Sequence, residues 1–348
     1  MIATRLYHSL LVTLVGSLLA LGANCASAAY LSLYAFGDSL SDAGNAYALT
    51  SPPGYPPSPP YAQRFSNGPV AVEQLAANLG IAGFRASTSG GTDYAVGGAQ
   101  TGLDLFYHYD NYLVYGGLSV LQGTGIENQV GNFVGSPPSF NPSTSLFFVW
   151  GGANDLFAAL SLFPTDPSQA VAAAQNAVPN LAGEIGALAS IGAQHFLVPN
   201  MPDLGVTPFG LASGDPAGLT ALSAGFNQGL DAALANLRIM FPAADIREFD
   251  TFSFVDGVVA EVLDNLPTGA FGLTNVTEPC FVPSSEGTFT ICSDPSQYLF
   301  WDSVHPTAAA NQILADAFAA TVPEPGTIAL LGVGLLGLGI NRRKRARG

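Results

Sequence analysis

An α/β fold built on a mainly parallel sheet is what this 348-residue sequence predicts. Two observations predict it. Strand-like apolar runs alternate with longer helix-like stretches along most of the chain. Apolar residues make up 48% and charged residues 10%, a composition that buries one large core and is far from a disordered one. Leu31 to Phe36 reads as the first strand. Val70 to Leu79 is helical, with Gly80 as its stop. Asp93 to Val96 and Ser145 to Trp150 read as the second and third strands, the third rich in aromatic residues. Pro167 to Ile191 is an alanine-rich helix with an interruption expected near Pro179. His195 to Val198 follows as a strand, Leu219 to Phe241 as a helix, Ile246 to Phe249 as a fifth strand and Ala308 to Thr321 as the last helix.

Three stretches break the alternation. Thr50 to Tyr61 is proline-rich and reads as a loop. Gly102 to Pro142 is rich in Gly, Asn and Tyr and reads as an insertion on the ligand side. Gly257 to Leu299 holds two cysteines and reads as irregular structure or a hairpin.

The two ends stand apart from this domain. Arg5, an apolar run from Leu10 to Leu21 and small residues through Ala29 make residues 1–28 a signal peptide, with Ala26-Ser27-Ala28 suited to cleavage. A lipoprotein site at Cys25 is set aside because Asn24 precedes it. At the other end, Val322-Pro323-Glu324-Pro325 leads into a glycine-laced apolar stretch, Thr327 to Ile340, and then a cluster of Arg and Lys. As a helix that stretch would reach about 21 Å, short of a hydrocarbon core of about 30 Å. Residues 322–348 closely resemble the PEP-CTERM sorting signals of Gram-negative bacteria. The resemblance implies recognition by an exosortase-type processing enzyme and transient or lasting attachment at the inner membrane. The expected location is periplasmic, cell-surface or secreted.

Without these ends, residues 29–322 keep four arginines against twenty-four acids, a net charge of −20. Such a field repels nucleic acid and anionic membranes and favours neutral substrates. Cys280 and Cys292 are the two cysteines left to an exported chain, so a structural disulfide between them is expected. No metal-ligand cluster, phosphate-binding glycine loop or dinucleotide fingerprint is present, and no cofactor is expected.

The first strand runs directly into Gly37-Asp38-Ser39-Leu40-Ser41-Asp42-Ala43-Gly44-Asn45. A serine at the carboxyl end of a parallel strand stands where such sheets bind ligands. Among four histidines, His8 leaves with the signal, His108 lies in the aromatic insertion, and His195 opens an apolar strand as a structural residue would. His305 stands three residues after Asp302 on a loop entering the last helix. That spacing lets a short turn present the carboxylate to Nδ1 while Nε2 points at a serine. A plain surface turn is the competing reading of Asp302 to His305, and a polar turn that of residues 37–45.

Further blocks decide between these readings. Arg64-Phe65-Ser66-Asn67-Gly68-Pro69, Asp93-Tyr94-Ala95-Val96-Gly97-Gly98-Ala99, Gly151-Gly152-Ala153-Asn154-Asp155, Asn200-Met201-Pro202-Asp203-Leu204-Gly205, Phe226-Asn227 and Trp301-Asp302-Ser303-Val304-His305-Pro306 follow in order. Together with the serine block they resemble the GDSL, or SGNH, hydrolase family across residues 30–321, departing from it at Asp93, where asparagine is common. The resemblance implies a three-layer α/β/α sandwich with a parallel sheet of about five strands and a hydrolase domain over residues 29–321. It implies Ser39 as nucleophile, Asp302 and His305 as its base system, and an oxyanion hole from the backbone N–H of Ser39, the backbone N–H of Gly98 and the side chain of Asn154. Gly97 remains an alternative to Gly98, and Asn154 has a helix-capping role as its competing reading. Asp38, Asp42 and Asn45 read as supports of the serine loop, and Asp155 and Asp203 as braces of neighbouring loops. The aromatic set Phe106, Tyr107, Tyr109, Tyr112 and Tyr115 is either an acyl pocket or a self-packed insertion.

The expected activity is hydrolysis of neutral acyl esters through an acyl-enzyme on Ser39. Removal of O-acetyl groups from an exopolysaccharide, or a matrix-binding role on the same fold, are the competing expectations.

Overall fold

Four strands form the central sheet of the computed structural model: β1 (Ser32–Gly37), β2 (Ser145–Trp150), β3 (His195–Pro199) and β4 (Asp245–Phe249). They lie side by side in that order and every pairing is parallel. The structure describes residues 30–322 except 105–106, 163, 265–270 and 285–286. The signal peptide, nearly all of the sorting segment and Phe106 therefore lie outside the described residues. Residues 32–321 form one unit, and Tyr30, Leu31 and Val322 are the described residues outside it.

The expected second strand, Asp93 to Val96, runs beside the free edge of β1 and hydrogen-bonds to it: Ala35 N donates to Thr92 O at 3.1 Å, Tyr94 N to Ala35 O at 2.8 Å and Val96 N to Gly37 O at 3.1 Å. It forms bridges but no full strand. The cause is local. Gln129 Oε1 takes the N–H of Gly37 that the next ladder bond would give to Tyr94 O, while Asn45 Nδ2 covers the outer carbonyls of Asp93 and Ala95. Counting this lane as second in chain order, the lanes read 2-1-3-4-5, and the switch point falls between β1 and β2.

Alternation along the strands sorts side chains to two faces. Tyr34, Phe36, Phe147, Val149, Phe196, Val198 and Ile246 face one helical layer. That layer comprises parts of four helices, numbered here with the rest in chain order: α1 (Ala71–Asn78), α2 (Ile126–Gly135), α3 (Ala153–Leu162), α4 (Pro167–Ser190), α5 (Pro216–Met240), α6 (Thr251–Leu263) and α7 (Ala308–Thr321). Helices α2 to α5 cover the first face. On the opposite face Phe148, Trp150 and Phe249 enclose Phe318 of α7, and α7 packs against α1. The result is the three-layer sandwich.

Differences from the sequence reading have physical causes. Helix α4 runs without interruption through Pro179. Losing one backbone bond costs about 3 kcal/mol, but Val178, Leu181, Ile185 and Leu188 are buried on this helix, and each such side chain contributes roughly 1.5–3 kcal/mol. Burial wins. Helix α2 lies inside the stretch 102–142, where glycine and asparagine obscure the spacing of Ile126, Val130 and Phe133. Helix α6 occupies the start of the stretch read as irregular, and Val255, Val258 and Val259 give it a buried face despite their β-branching. After it come β5 (Asn275–Pro279), β6 (Phe281–Pro283), β7 (Phe289–Ile291) and β8 (Tyr298–Phe300). Strands β6 and β7 make an antiparallel hairpin closed by a Cys280–Cys292 disulfide. No helix among the described residues is long and apolar enough to cross a membrane.

Phe318 is fully buried where α7 meets the sheet. Phe318→Ala is expected to lower the unfolding free energy by about 3–5 kcal/mol, measured by urea denaturation.

Candidate active site

Strand β1 ends at Gly37, and the next two residues turn sharply. The turn is tight because a Cβ at Gly37 would fall 2.3 Å from the carbonyl oxygen of Trp150 at the end of β2. Gln129 of α2 fastens the strand end from the other side. It accepts from Gly37 N at 2.9 Å and donates through Nε2 to Gly37 O at 2.9 Å. Ser39 therefore stands just past a backbone held by its neighbours, nearly buried.

The loop beyond is braced by carboxylates that accept from backbone N–H groups. Asp42 accepts from Gly44 at 2.7 Å, Ala46 at 3.0 Å and Gly97 at 2.8 Å. Asp93 accepts from Ala43 at 2.6 Å and Ala95 at 3.1 Å. Asp38 accepts from Leu40 N at 3.0 Å. Burial pushes Asp38 and Asp42 each up to about 6, because desolvation outweighs the hydrogen bonds that favour their charge. Burial likewise raises Asp93. Asp38, Asp42 and Asn45 thus support the serine loop, as their placement in the sequence suggested. Asp155 binds Thr101 through N and Oγ1, and Asp203 binds Gly205 and Thr220, so both hold loops.

His305 arrives from the far end of the chain. Its Nε2 lies 2.8 Å from Ser39 Oγ, and its Nδ1 lies 2.7 Å from Asp302 Oδ2 and 2.9 Å from Oδ1. Asp302 Oδ1 also accepts from the backbone N–H of Val304 and His305. Burial alone would raise the Asp302 carboxyl, but the facing imidazole and these N–H groups hold it below its ordinary value. Burial alone would lower His305, but the charge and hydrogen bond of Asp302 raise it above its ordinary value. The 64–69 block holds the histidine loop in place: Phe65 packs on the imidazole with ring centres 5.3 Å apart, Ser66 Oγ donates to Pro306 O at 2.8 Å, and Asn67 accepts from Ala308 N at 2.7 Å.

Asn154 opens α3 at the end of β2. Its Nδ2 donates to Ala99 O at 3.0 Å and lies 3.3 Å from Asp38 Oδ2. Gly98 has φ +81°, and a Cβ there would meet Asn111 Oδ1 at 2.5 Å and Leu113 Cγ at 2.7 Å. Gly97 N is already engaged with Asp42, whereas the N–H groups of Ser39 and Gly98 have no protein partner among the described residues. This separates the two glycines that the sequence left open.

The expected site residues therefore converge. Ser39, Gly98, Asn154, Asp302 and His305 all line one cleft of about 750 Å³. Its wall is mostly apolar and aromatic, with Tyr55, Phe65, Phe157, Phe209 and Phe281 prominent. Tyr112 also lines it, but Tyr107, Tyr109 and Tyr115 pack on one another, so most of that aromatic set is self-packed. His195 stands at the opposite end of its strand from the switch point, and His108 lies in the insertion at φ 56°. Among the described residues no group of three or more His, Cys, Asp or Glu is arranged to hold a metal ion.

Three contributors escaped the sequence reading: Gln129, Tyr61, which donates to Asp302 Oδ2 at 2.7 Å, and Phe281 on the disulfide hairpin. Gln129 shows no sequence signal, since the helix that carries it is itself obscured by glycine and asparagine. Tyr61 sits in a proline-rich loop 241 residues from its partner.

A family model described as GDSL-like lipase/acylhydrolase matches residues 33–318. The chain belongs to this family. It is a carboxylic ester hydrolase. A GDSL esterase/lipase of Arabidopsis thaliana is 28% identical over 82% of this chain and 83% of its own length. The phosphatidylcholine-sterol acyltransferase of Aeromonas hydrophila is 30% identical over 73% of this chain and 66% of its own. Among solved structures, a lipase from a goat rumen metagenome shows 15% identity and a TM-score of 0.42, covering 84% of this chain and 97% of that one. A PEP-CTERM protein-sorting motif matches residues 321–345, which marks the GDSL-like domain for export and sorting to the cell envelope.

Proposed function

We propose that Ser39 is the nucleophile of this ester hydrolase, His305 its general base and acid, and Asp302 the group that orients the imidazole. The observation that carries the reading is the unbroken hydrogen-bonded chain from Asp302 through His305 to Ser39 Oγ at the wall of the cleft. As Oγ bonds to the ester carbonyl carbon, its proton passes to Nε2. The tetrahedral intermediate collapses, and the departing alcohol takes that proton. Water then attacks the acyl-enzyme, giving its proton to Nε2, and Oγ leaves with the proton restored. The free N–H groups of Ser39 and Gly98 and the amide of Asn154 receive the oxyanion. For Asn154 this requires releasing its long contact to Asp38.

The substrates are neutral esters whose acyl groups are apolar. The wall of aromatic and proline side chains supports this reading, as does the charge of −20 on residues 29–322. The chain is exported by residues 1–28, carries its hydrolase domain over residues 29–321, and is processed at residues 322–348 by an exosortase-type enzyme, leaving it at the cell surface or released. The sorting motif supports the last step.

Ser39→Ala is expected to lower kcat for a nitrophenyl ester by about 10⁶-fold, while circular dichroism and the unfolding midpoint stay near wild type. Unchanged turnover refutes the nucleophile. Because His305 is raised above the ordinary histidine value of 6.5, its neutral, basic form is lost as pH falls through a midpoint above 6.5. A plot of log kcat/KM against pH should bend downward there, and a flat profile to pH 4 excludes a histidine base. Across nitrophenyl esters from acetate to octanoate, kcat/KM is expected to rise by up to about fourfold per methylene buried in the cleft. A maximum at acetate, with release of acetate from an acetylated polysaccharide, replaces the acyl-ester reading with the carbohydrate one.

A further inference from the structure

Asp302 is a deeply buried carboxylate, and among the described residues no arginine or lysine forms an ion pair with it. Its charge is held by the facing imidazole of His305 and by hydrogen bonds. Oδ1 receives the N–H groups of Val304 and His305, and the imidazole spans both oxygens. One lone pair of Oδ2 would be left facing the aromatic wall, and an unfilled buried acceptor costs roughly 1–3 kcal/mol or more when it is charged. The Tyr61 hydroxyl fills it at 2.7 Å.

Tyr61 is placed for this by more than its hydroxyl. Its ring packs edge-on against Phe281 at 5.2 Å and Trp301 at 6.1 Å. Its backbone N–H donates to Pro57 O at 3.2 Å, and that of Ala62 to Ser66 O at 3.0 Å. Phe281 and Trp301 are themselves joined, Phe281 N donating to Trp301 O at 2.6 Å, next to the Cys280–Cys292 disulfide. The residue that donates to Asp302 thus rests on the same hairpin that lines the cleft. Burial, followed by the charge of Asp302, pushes the Tyr61 phenol far above its ordinary value, so it remains a donor throughout any assay range.

We propose that Tyr61 is a positioning residue of the acid–base system, its hydroxyl fixing the plane of the Asp302 carboxylate and drawing part of that charge away from His305. The role rests on the triad reading above. A phenol that donates to Oδ2 presents its positive end to the carboxylate, so the imidazolium feels less negative charge than it would from Asp302 alone. The sign follows directly. Without the hydroxyl, His305 holds its proton more tightly and the basic form appears only at higher pH.

The other groups facing this pair are Tyr55 from the same proline-rich loop, which feels Asp302, and Asp38 from the serine loop, which faces His305 and has Asp42 behind it. Among the described residues, the helical turn Pro208–Ala212 and the hairpin contribute no titratable side chain to the cleft lining. Asp38 is itself raised by burial to about 6, but it is common to every variant below.

Tyr61→Phe keeps the ring and its packing. It is expected to move the acid limb of log kcat/KM upward by about half a pH unit or more, and to move the His305 titration seen by ¹⁵N NMR in the same direction. Replacing Tyr61 with 3-fluorotyrosine, a stronger donor, is expected to move both downward. In an Asp302→Asn background Tyr61→Phe should cause no further shift, since the two groups act as one unit. Limbs that coincide in wild type, Tyr61→Phe and the fluorinated protein overturn the proposal, even where turnover falls. A wild-type profile with no acid limb sinks the triad reading instead, so the two failures are distinguishable.

Discussion

A contact of 2.8 Å between Ser39 Oγ and His305 Nε2 joins residues 266 positions apart, and the fold is arranged around keeping it. The serine side is fixed by the parallel sheet: Gly37 is clamped by Gln129 on one side and by the close approach of Trp150 on the other. The histidine side is fixed by α7, whose Phe318 is locked between two strands, and by the 64–69 block that ties the entry of α7 to α1. An error of 1 Å at either side would break the hydrogen bond, so rigid packing beneath the loops is a requirement of the chemistry.

The second constraint is electrostatic. Among the described residues, the carboxylates Asp38, Asp42 and Asp93 cluster around the serine without a direct ion pair, Arg64 acting on Asp42 and Asp93 only at longer range. The four arginines of residues 29–322 are all occupied elsewhere: Arg64 with Glu73, Arg247 with Asp245, Arg85 with the carbonyls of its own loop and Arg238 with Ile246 O. Backbone N–H groups compensate instead, and they cannot move or exchange partners as a lysine can. The cost appears in the raised values of Asp38, Asp42 and Asp93, which burial pushes toward the neutral form.

What could be read in advance follows from the range of the interactions. The sheet and its main helices were legible because each strand is a short apolar run and each helix has a local period. That Ser39, Asp302 and His305 meet in space was also legible, since the turn after β1 and the Asp-to-His spacing are local, and the ordered blocks tied them together. The lane at Asp93 falls short of a strand where the side chain of Gln129, 92 residues away, takes the N–H of Gly37, and no local pattern reveals that. Helix α2 hid among glycines, and α6 among β-branched residues whose intrinsic preference is overridden by burial. Gln129, Tyr61 and Phe281 act through partners far away in sequence, and such pairs leave no periodicity to find.

The cleft wall and the groups proposed to react come from different kinds of backbone. Ser39 and Asn154 stand at strand ends, whereas Tyr55, Phe209 and Phe281 belong to a loop, a single short helical turn and a hairpin that touch the sheet little. A rim residue such as Phe209 can therefore be exchanged with the serine and its amide neighbours left undisturbed, whereas Phe281 also seats the ring of Tyr61 behind Asp302. Divergence at positions like Phe209 can retune what enters the cleft, while any change in the hairpin reaches the imidazole by way of Tyr61.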